Sequence, residues 1–272
     1  MGNERASRIE GALRRANGEG RIAMVAYVMA GFPDAGATIP IVRALAEGGA
    51  DAIELGIPFS DPLADGPTIQ RSGYVALQGG MTPRKVLELV KEMRAEGVVI
   101  PVIVMTYYNP ILAYGQDGFV HDAAAAGVDG LIPVDVPPEE AGELAERCRA
   151  EGMDLIPLVA PTSSPERIAA AVGLASGFVY CVSVAGVTGA REALPPDLAA
   201  FVQRVRRETS LPVGVGFGLS KREHIESLSG IADAAVVGSA IVNVIEGTPR
   251  AELEAKVKAY VEVLTGRGKA RV

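Results

Sequence analysis

The chain has 272 residues, 49% of them apolar, with a net charge of −7 and a pI near 5.1. That length suits one (β/α)₈ barrel of roughly 250 residues, and the acidic balance without any Lys/Arg run argues against a nucleic-acid surface. No stretch of apolar residues reaches membrane-spanning length, and MGNERASRIE at the start has no apolar segment of the signal-peptide kind. A cytoplasmic location is expected, with Cys148 and Cys181 as reduced, buried thiols.

Residues Ile9 to Arg15 read as a short amphipathic helix capping one end of the fold. Short apolar strands then alternate with helices, several strands being introduced by Gly/Ala-x-Asp. Strands are predicted at Ile22–Met29, Ala52–Leu55, Val102–Thr106, Gly130–Asp135, Leu155–Ala160, Phe178–Ser183, Val213–Gly216 and Ala234–Gly238. Helices are predicted at Thr38–Glu47, Pro83–Ala95, Phe119–Ala126, Glu139–Glu151, Pro165–Ala175, Asp197–Glu208, Lys221–Leu228 and Ala251–Leu264. Thr82-Pro83 and Ser164-Pro165 place an N-cap before a proline at the first helical position.

Strands that are continuous apolar runs, each followed by a helix, imply a parallel sheet covered by helices. No G-x-G-x-x-G follows the first strand, so a dinucleotide-binding open sheet is disfavoured. The expected architecture is α/β, one TIM-barrel domain spanning residues 1–272, with an extra N-terminal helix. Three βα loops exceed the common length of about two to six residues: Gly56–Thr68, Tyr107–Gly118 and Val184–Pro196.

In such barrels chemistry sits at the C-terminal strand ends. Glu54 lies at the end of the second strand, where its side chain should enter the barrel mouth and desolvation would raise its pKa. The plain alternative is a buried Glu satisfied by backbone N–H groups. Asp65 lies on the loop that follows and could fold back over the mouth; turn chemistry at Asp65-Gly66 or Ser60-Asp61-Pro62 is the alternative, and Asp61 fits it better. Gly214-Val215-Gly216-Phe217-Gly218 and Gly238-Ser239-Ala240-Ile241-Val242 follow the last two strands. Those loops, with Ser239–Glu246 as a short extra helix, match the phosphate site of this fold, although tight turns would explain either loop alone. Gly186-Val187-Thr188-Gly189 reads as a glycine-hinged lid or an ordinary flexible loop.

Every lysine falls on a predicted helix or the tail, which leaves no Schiff-base lysine at a strand end. His121 and His224 also fall on helices and read as solvated surface residues, which removes metal ligands and a Ser-His pair. Carboxylate acid/base chemistry on a small phosphorylated molecule remains. Its pocket would be lined by Tyr27, Met29, Met105, Ile132, Leu158, Tyr180 and Phe217, positions equally explained as barrel core.

ELGIPFSDPLADGPTIQ (Glu54–Gln70), MTYYNPIL (Met105–Leu112), GVTGAR (Gly186–Arg191) and GFG…GSAIV (Gly216–Val242) closely resemble the tryptophan synthase α subunit, and the similarity covers essentially the whole chain. That resemblance implies a cofactor-free lyase that cleaves indole-3-glycerol phosphate to indole and glyceraldehyde 3-phosphate. It implies an αββα complex whose β subunit alone carries pyridoxal phosphate. It assigns Glu54 as general acid/base and Asp65 as the carboxylate engaging the indole N–H. Tyr27, Met105, Ile132, Tyr180 and Phe217 match the aromatic pocket, and Thr188 the lid threonine that closes onto Asp65. Gly189, Gly218, Gly238 and Ser239 match the phosphate contacts. Pro58, Asp61, Pro62, Asn109 and Pro110 match the face that docks the β subunit. Val184, Tyr27 and Met105 depart from some relatives, which have arginine, phenylalanine and leucine there.

Overall fold

The computed structural model describes residues 7–182, 196–216 and 218–267. Helix α1 (Arg8–Gly18) leads into β1 (Ala23–Met29), α2 (Thr38–Gly48) and β2 (Ala52–Gly56). After β2 come α3 (Pro67–Gln78), α4 (Pro83–Ala95) and β3 (Val102–Thr106), then α5 (Tyr108–Tyr114), α6 (Gln116–Ala126) and β4 (Gly130–Pro133). Next are α7 (Gly142–Ala150), β5 (Asp154–Leu155), β6 (Leu158–Val159), α8 (Pro165–Leu174) and β7 (Val179–Val182). The described chain finishes with α9 (Leu198–Arg206), β8 (Val213–Gly216), α10 (Arg222–Glu226), β9 (Ala234–Val237), α11 (Ser239–Glu246) and α12 (Leu253–Thr265).

All strands pair in parallel, in the order β5-β4-β3-β2-β1-β9-β8-β7-β6. The two ends of that order, β5 and β6, are consecutive in the chain. The expected single fifth strand is split because Pro157 has no N–H to give to a ladder. Ile156 N–H still reaches Leu131 O at 2.9 Å on the β4 side, and Pro157 O accepts Tyr180 N–H at 3.2 Å on the β7 side. One short stretch therefore bonds to both neighbours, and the sheet closes into the expected barrel.

Alternation along the strands sorts side chains into two cores. Ala23, Val25, Ala52, Ile103, Ile132 and Phe178 fill the barrel, and Ile9, Leu13 and Ala16 of α1 join them as a plug. Residues between them in sequence, such as Ala26, Ile53 and Val104, pack outward against the helices. The strand-opening aspartates have a physical cause. Asp51, Asp129 and Asp233 accept the N–H of Met24, Val102 and Val213 at 2.8, 2.8 and 2.7 Å. Each also pairs with an arginine, Arg21, Arg94 and Arg206 respectively. Gly49 and Gly127 close α2 and α6 in the left-handed conformation, which reverses the chain just before two of these aspartates.

Thr82 and Ser164 cap α4 and α8 as expected, with Pro83 and Pro165 in the first turn. Other expectations are corrected. Residues 67–78 form α3, which takes in Thr68 of the expected loop. The expected loop Tyr107–Gly118 is largely α5 and the start of α6. Helix α7 begins three residues later than expected, past the turn that follows Pro137-Pro138.

Candidate active site

The alternation that buries Ala23 and Val25 continues to Tyr27 and Met29 on β1, and β2 presents Glu54 between Ala52 and Gly56. Tyr27 and Glu54 are register partners. Glu54 is 2% exposed, and its Oε2 has no hydrogen-bond partner among the described residues. Removal from water, and then the charge of Asp65, push its carboxyl from 4.5 up to about 8. Asp65 is half-buried. Its carboxyl rises from 3.8 to about 6 through desolvation, opposed by a hydrogen bond from Tyr107. Two acids whose environments separate their pKa values in this way divide naturally into a proton donor and a standing anion near neutral pH.

The loop is built to present Asp65. Asp65 N–H bonds Pro62 O at 3.1 Å, and Gln70 Nε2 bonds Asp65 O at 2.9 Å. The Tyr107 phenol accepts Ala64 N–H at 2.9 Å and packs against Phe59, with ring centroids 5.3 Å apart and the rings tilted by 37°. Asp61 is exposed and its carbonyl closes a turn with Leu63 N–H at 2.9 Å. The structure thus separates the turn-forming aspartate from the one held over the mouth. Tyr107 is a site residue that sequence reading did not single out, although the inward alternation through Met105 pointed to it.

Glycines at strand ends make room for the phenols. The Tyr27 ring occupies the space that a side chain at Gly56 would fill, and a Cβ on Gly216 would lie 2.6 Å from the Tyr180 hydroxyl. Burial keeps both phenols protonated, and the charge of Glu54 adds to that effect on each. Met105 and Ile132 are register partners on β3 and β4, and Tyr180 lies 5.9 Å from Phe178 ring to ring. These described pocket residues are brought together at one end of the barrel. Phe217, Thr188, Gly189 and Val184 lie outside the described residues.

The glycine-rich ends fall on neighbouring strands. Gly218, after β8, has φ of 69°, a region open to glycine at little cost. Gly238 precedes α11, whose N-terminus takes no side-chain cap among the described residues, which leaves its first-turn N–H groups available to an anion. Strand β1 sits between β2 and β9, which puts Glu54 two interstrand spacings, about 10 Å, from the strand that leads to Gly238. Tyr27 spans that gap, its Cβ 3.5 Å from the position of a Cβ on Gly238.

Two grooves lie outside the mouth. One of about 590 Å³ is bordered by Pro58, Phe59, Arg84, Asn109, Pro110 and Tyr114. It brings three of the expected docking residues together, beside Asp61 and Pro62 on the same loop. The other, about 460 Å³, lies near Arg15, Arg43 and Glu96 at the opposite end of the barrel and touches neither acid of the mouth. His121 is exposed beside Glu151, as expected. His224 is not solvated: it is 8% exposed, packed under the loop after β8. Among the described residues no cluster of His, Cys, Asp and Glu could hold a metal ion, and no helix is long and apolar enough to cross a membrane.

The profile of a family described as "Tryptophan synthase alpha chain" matches residues 13–270. The chain is 51% identical over 255 residues to the tryptophan synthase alpha chain of Dechloromonas aromatica, covering 94% of this chain and 95% of that one. It is 46% identical over 255 residues to the tryptophan synthase of Saccharomyces cerevisiae, covering 93% of this chain and 36% of the longer yeast protein. Among solved structures, tryptophan synthase of Mycobacterium tuberculosis matches with a TM-score of 0.88 at 39% identity, over 96% of this chain and 98% of that one. Agreement of this extent, over nearly the whole chain and in the same barrel, makes the protein a member of the tryptophan synthase alpha chain family, the lyases that cleave indole-3-glycerol phosphate to indole and glyceraldehyde 3-phosphate.

Proposed function

We propose that Glu54 and Asp65 divide the proton work of that cleavage between them. An aryl carbanion is a very poor leaving group, so C3 of the indole ring must be protonated before its bond to the glycerol phosphate chain can break. Glu54, protonated near neutral pH, delivers that proton. Asp65, ionised at the same pH, accepts the indole N–H and stabilises the positive charge that builds on the ring. The Glu54 carboxylate then takes the proton of the side-chain hydroxyl. The C–C bond breaks as that hydroxyl becomes the aldehyde of glyceraldehyde 3-phosphate, and the bonding pair returns to the ring to give neutral indole. The observation that carries this reading is the pairing of a fully buried, inward-facing Glu54 with a half-buried Asp65.

Tyr27, Met105, Ile132, Tyr180 and Phe217 enclose the ring, and Thr188 closes onto Asp65. Gly189, Gly218, Gly238 and Ser239 take the phosphate. No cofactor enters the step; pyridoxal phosphate belongs to a partner β subunit, joined in a cytoplasmic αββα assembly. The docking face runs through Pro58, Asp61, Pro62, Asn109 and Pro110. The groove beside Pro58 and the 94% exposure of Leu63 support a partnered chain, as does the larger yeast relative, of which this sequence matches only a part.

The test is indole release from indole-3-glycerol phosphate by the purified chain, alone and with added β subunit. Strong stimulation is expected. Full activity alone would mark a self-sufficient lyase, and none in either case a barrel that only docks. Glu54→Gln should lower turnover on the order of a hundred- to ten-thousand-fold while substrate still binds; near-normal turnover removes Glu54 from the mechanism.

A further inference from the structure

A backbone that presents N–H groups to an anion must be held still, since every residue ordered on binding costs affinity. The loop after β8 has its left-handed residue at Gly218, and the next two residues are fastened. Leu219 is 2% exposed. Ser220 is held at both of its backbone groups: its N–H donates to Nδ1 of His224 at 3.4 Å, and its carbonyl, in the next peptide unit, accepts the Tyr260 hydroxyl at 2.7 Å. Accepting at Nδ1 places the ring proton of a neutral His224 on Nε2.

Tyr260 comes from α12, far along the chain. The same helix packs against α11, whose first turn forms the other arm of the rim. Both arms at the anion-facing end therefore rest on one C-terminal helix. A connecting loop with no further duty commonly leaves its peptides to water; here both backbone groups of Ser220, two residues past the left-handed glycine, bond side chains, one buried (His224) and one partly buried (Tyr260).

We propose that Tyr260 and His224 are positioning residues for the phosphate of the substrate: they touch no ligand, and set phosphate affinity by fixing the backbone on both sides of Ser220 and with it Gly218. This rests on the phosphate placement proposed above. A lost hydrogen bond of this kind corresponds to about a three- to tenfold change in a binding constant.

The experiment measures dissociation constants for glyceraldehyde 3-phosphate, inorganic phosphate and indole, with KM and kcat for indole release, on the wild type, Tyr260→Phe, His224→Leu and Ser239→Ala. Tyr260→Phe removes one oxygen and should weaken both phosphate ligands about three- to tenfold. KM should rise in step, with kcat and indole binding unchanged. His224→Leu should act in the same direction, and the double variant should fall short of the product of the two because both work through the backbone of one residue. Unchanged phosphate affinity in Tyr260→Phe overturns the proposal, as does equal weakening of indole, which would mark general loosening. Should Tyr260→Phe fail to fold, His224→Leu alone carries the same two readings. Ser239→Ala separates the premises. If it weakens phosphate while Tyr260→Phe does not, only the clamp fails; if neither weakens it, the phosphate placement fails as well.

Discussion

Glu54 and Asp65 lie eleven positions apart in sequence, on a strand and on the loop beyond it, and their different burial suits them to the different tasks proposed for them. Glu54 is pushed to about 8 and Asp65 to about 6, so the combination of protonated Glu54 and ionised Asp65 prevails between those values. The pH profile of kcat/KM for indole release should be a bell with limbs near these two values. Tyr107→Phe removes a hydrogen bond that lowers Asp65, and should move the acidic limb to higher pH. A limb that stays in place would separate Tyr107 from Asp65. Stability carries the same signature. The folded chain keeps a proton on Glu54 that the unfolded chain releases between 4.5 and about 8, so stability falls as pH rises through that window. Glu54→Gln is neutral throughout. Its thermal midpoint should exceed the wild type's near pH 8 and converge with it near pH 4.5; a gap that does not vary with pH would show that burial of the charge is not the cause.

At the level of elements, the strands were legible because both faces of a closed parallel sheet are buried, which writes each strand as an apolar run. The misreadings have local causes. Helix α3 follows a proline-rich loop and contains Ser72 and Gly73, so its helical period is broken exactly where packing against α11 and β1 supplies the stabilisation. Helix α5 contains Pro110 in its first turn, a place where the missing N–H costs nothing, yet in sequence it reads as a break. His224 sits on a short helix with charged neighbours, and only the packing of the loop over it removes it from water. Strand glycines were read as turns or phosphate ligands, while Gly216 also makes room for Tyr180. Gly216→Ala should therefore displace the Tyr180 ring, at about 1–3 kcal/mol of stability and a marked loss of indole release. Adding Tyr180→Leu, which removes both the hydroxyl 2.6 Å and the ring carbon 2.8 Å from the new Cβ, should restore part of the stability. No recovery in the double variant would mean that the strain lies elsewhere.

For the whole molecule, one end of the barrel gathers the acids and the other carries the aspartate–arginine pairs and the α1 plug, the usual division between chemistry and stability in this fold. The groove beside Pro58 lies next to the loop that bears Asp65, so a partner seated there would touch the segment that positions that acid. Leu112, 53% exposed, is on α5, the helix that gives Asn109, Pro110 and Ala113 to that groove. Leu112→Glu should leave basal indole release unchanged and reduce its stimulation by β subunit about tenfold or more. Stimulation at the wild-type level would move the docking face off α5.

The order of the strands and of most helices, the barrel class and Glu54 as a buried acid were determined by the sequence itself, because periodic burial and an acid within an apolar run leave a local record. Tertiary structure alone decided that Asp65 rather than Asp61 faces the mouth, that Tyr107 holds its loop, and that Pro157 divides the closing strand between two neighbours. It also decided that Tyr260 meets Ser220, forty residues away. Those facts depend on which distant segments touch, and desolvation, which sets the two acid pKa values, is a property of the packed neighbourhood and has no counterpart in the order of residues along the chain.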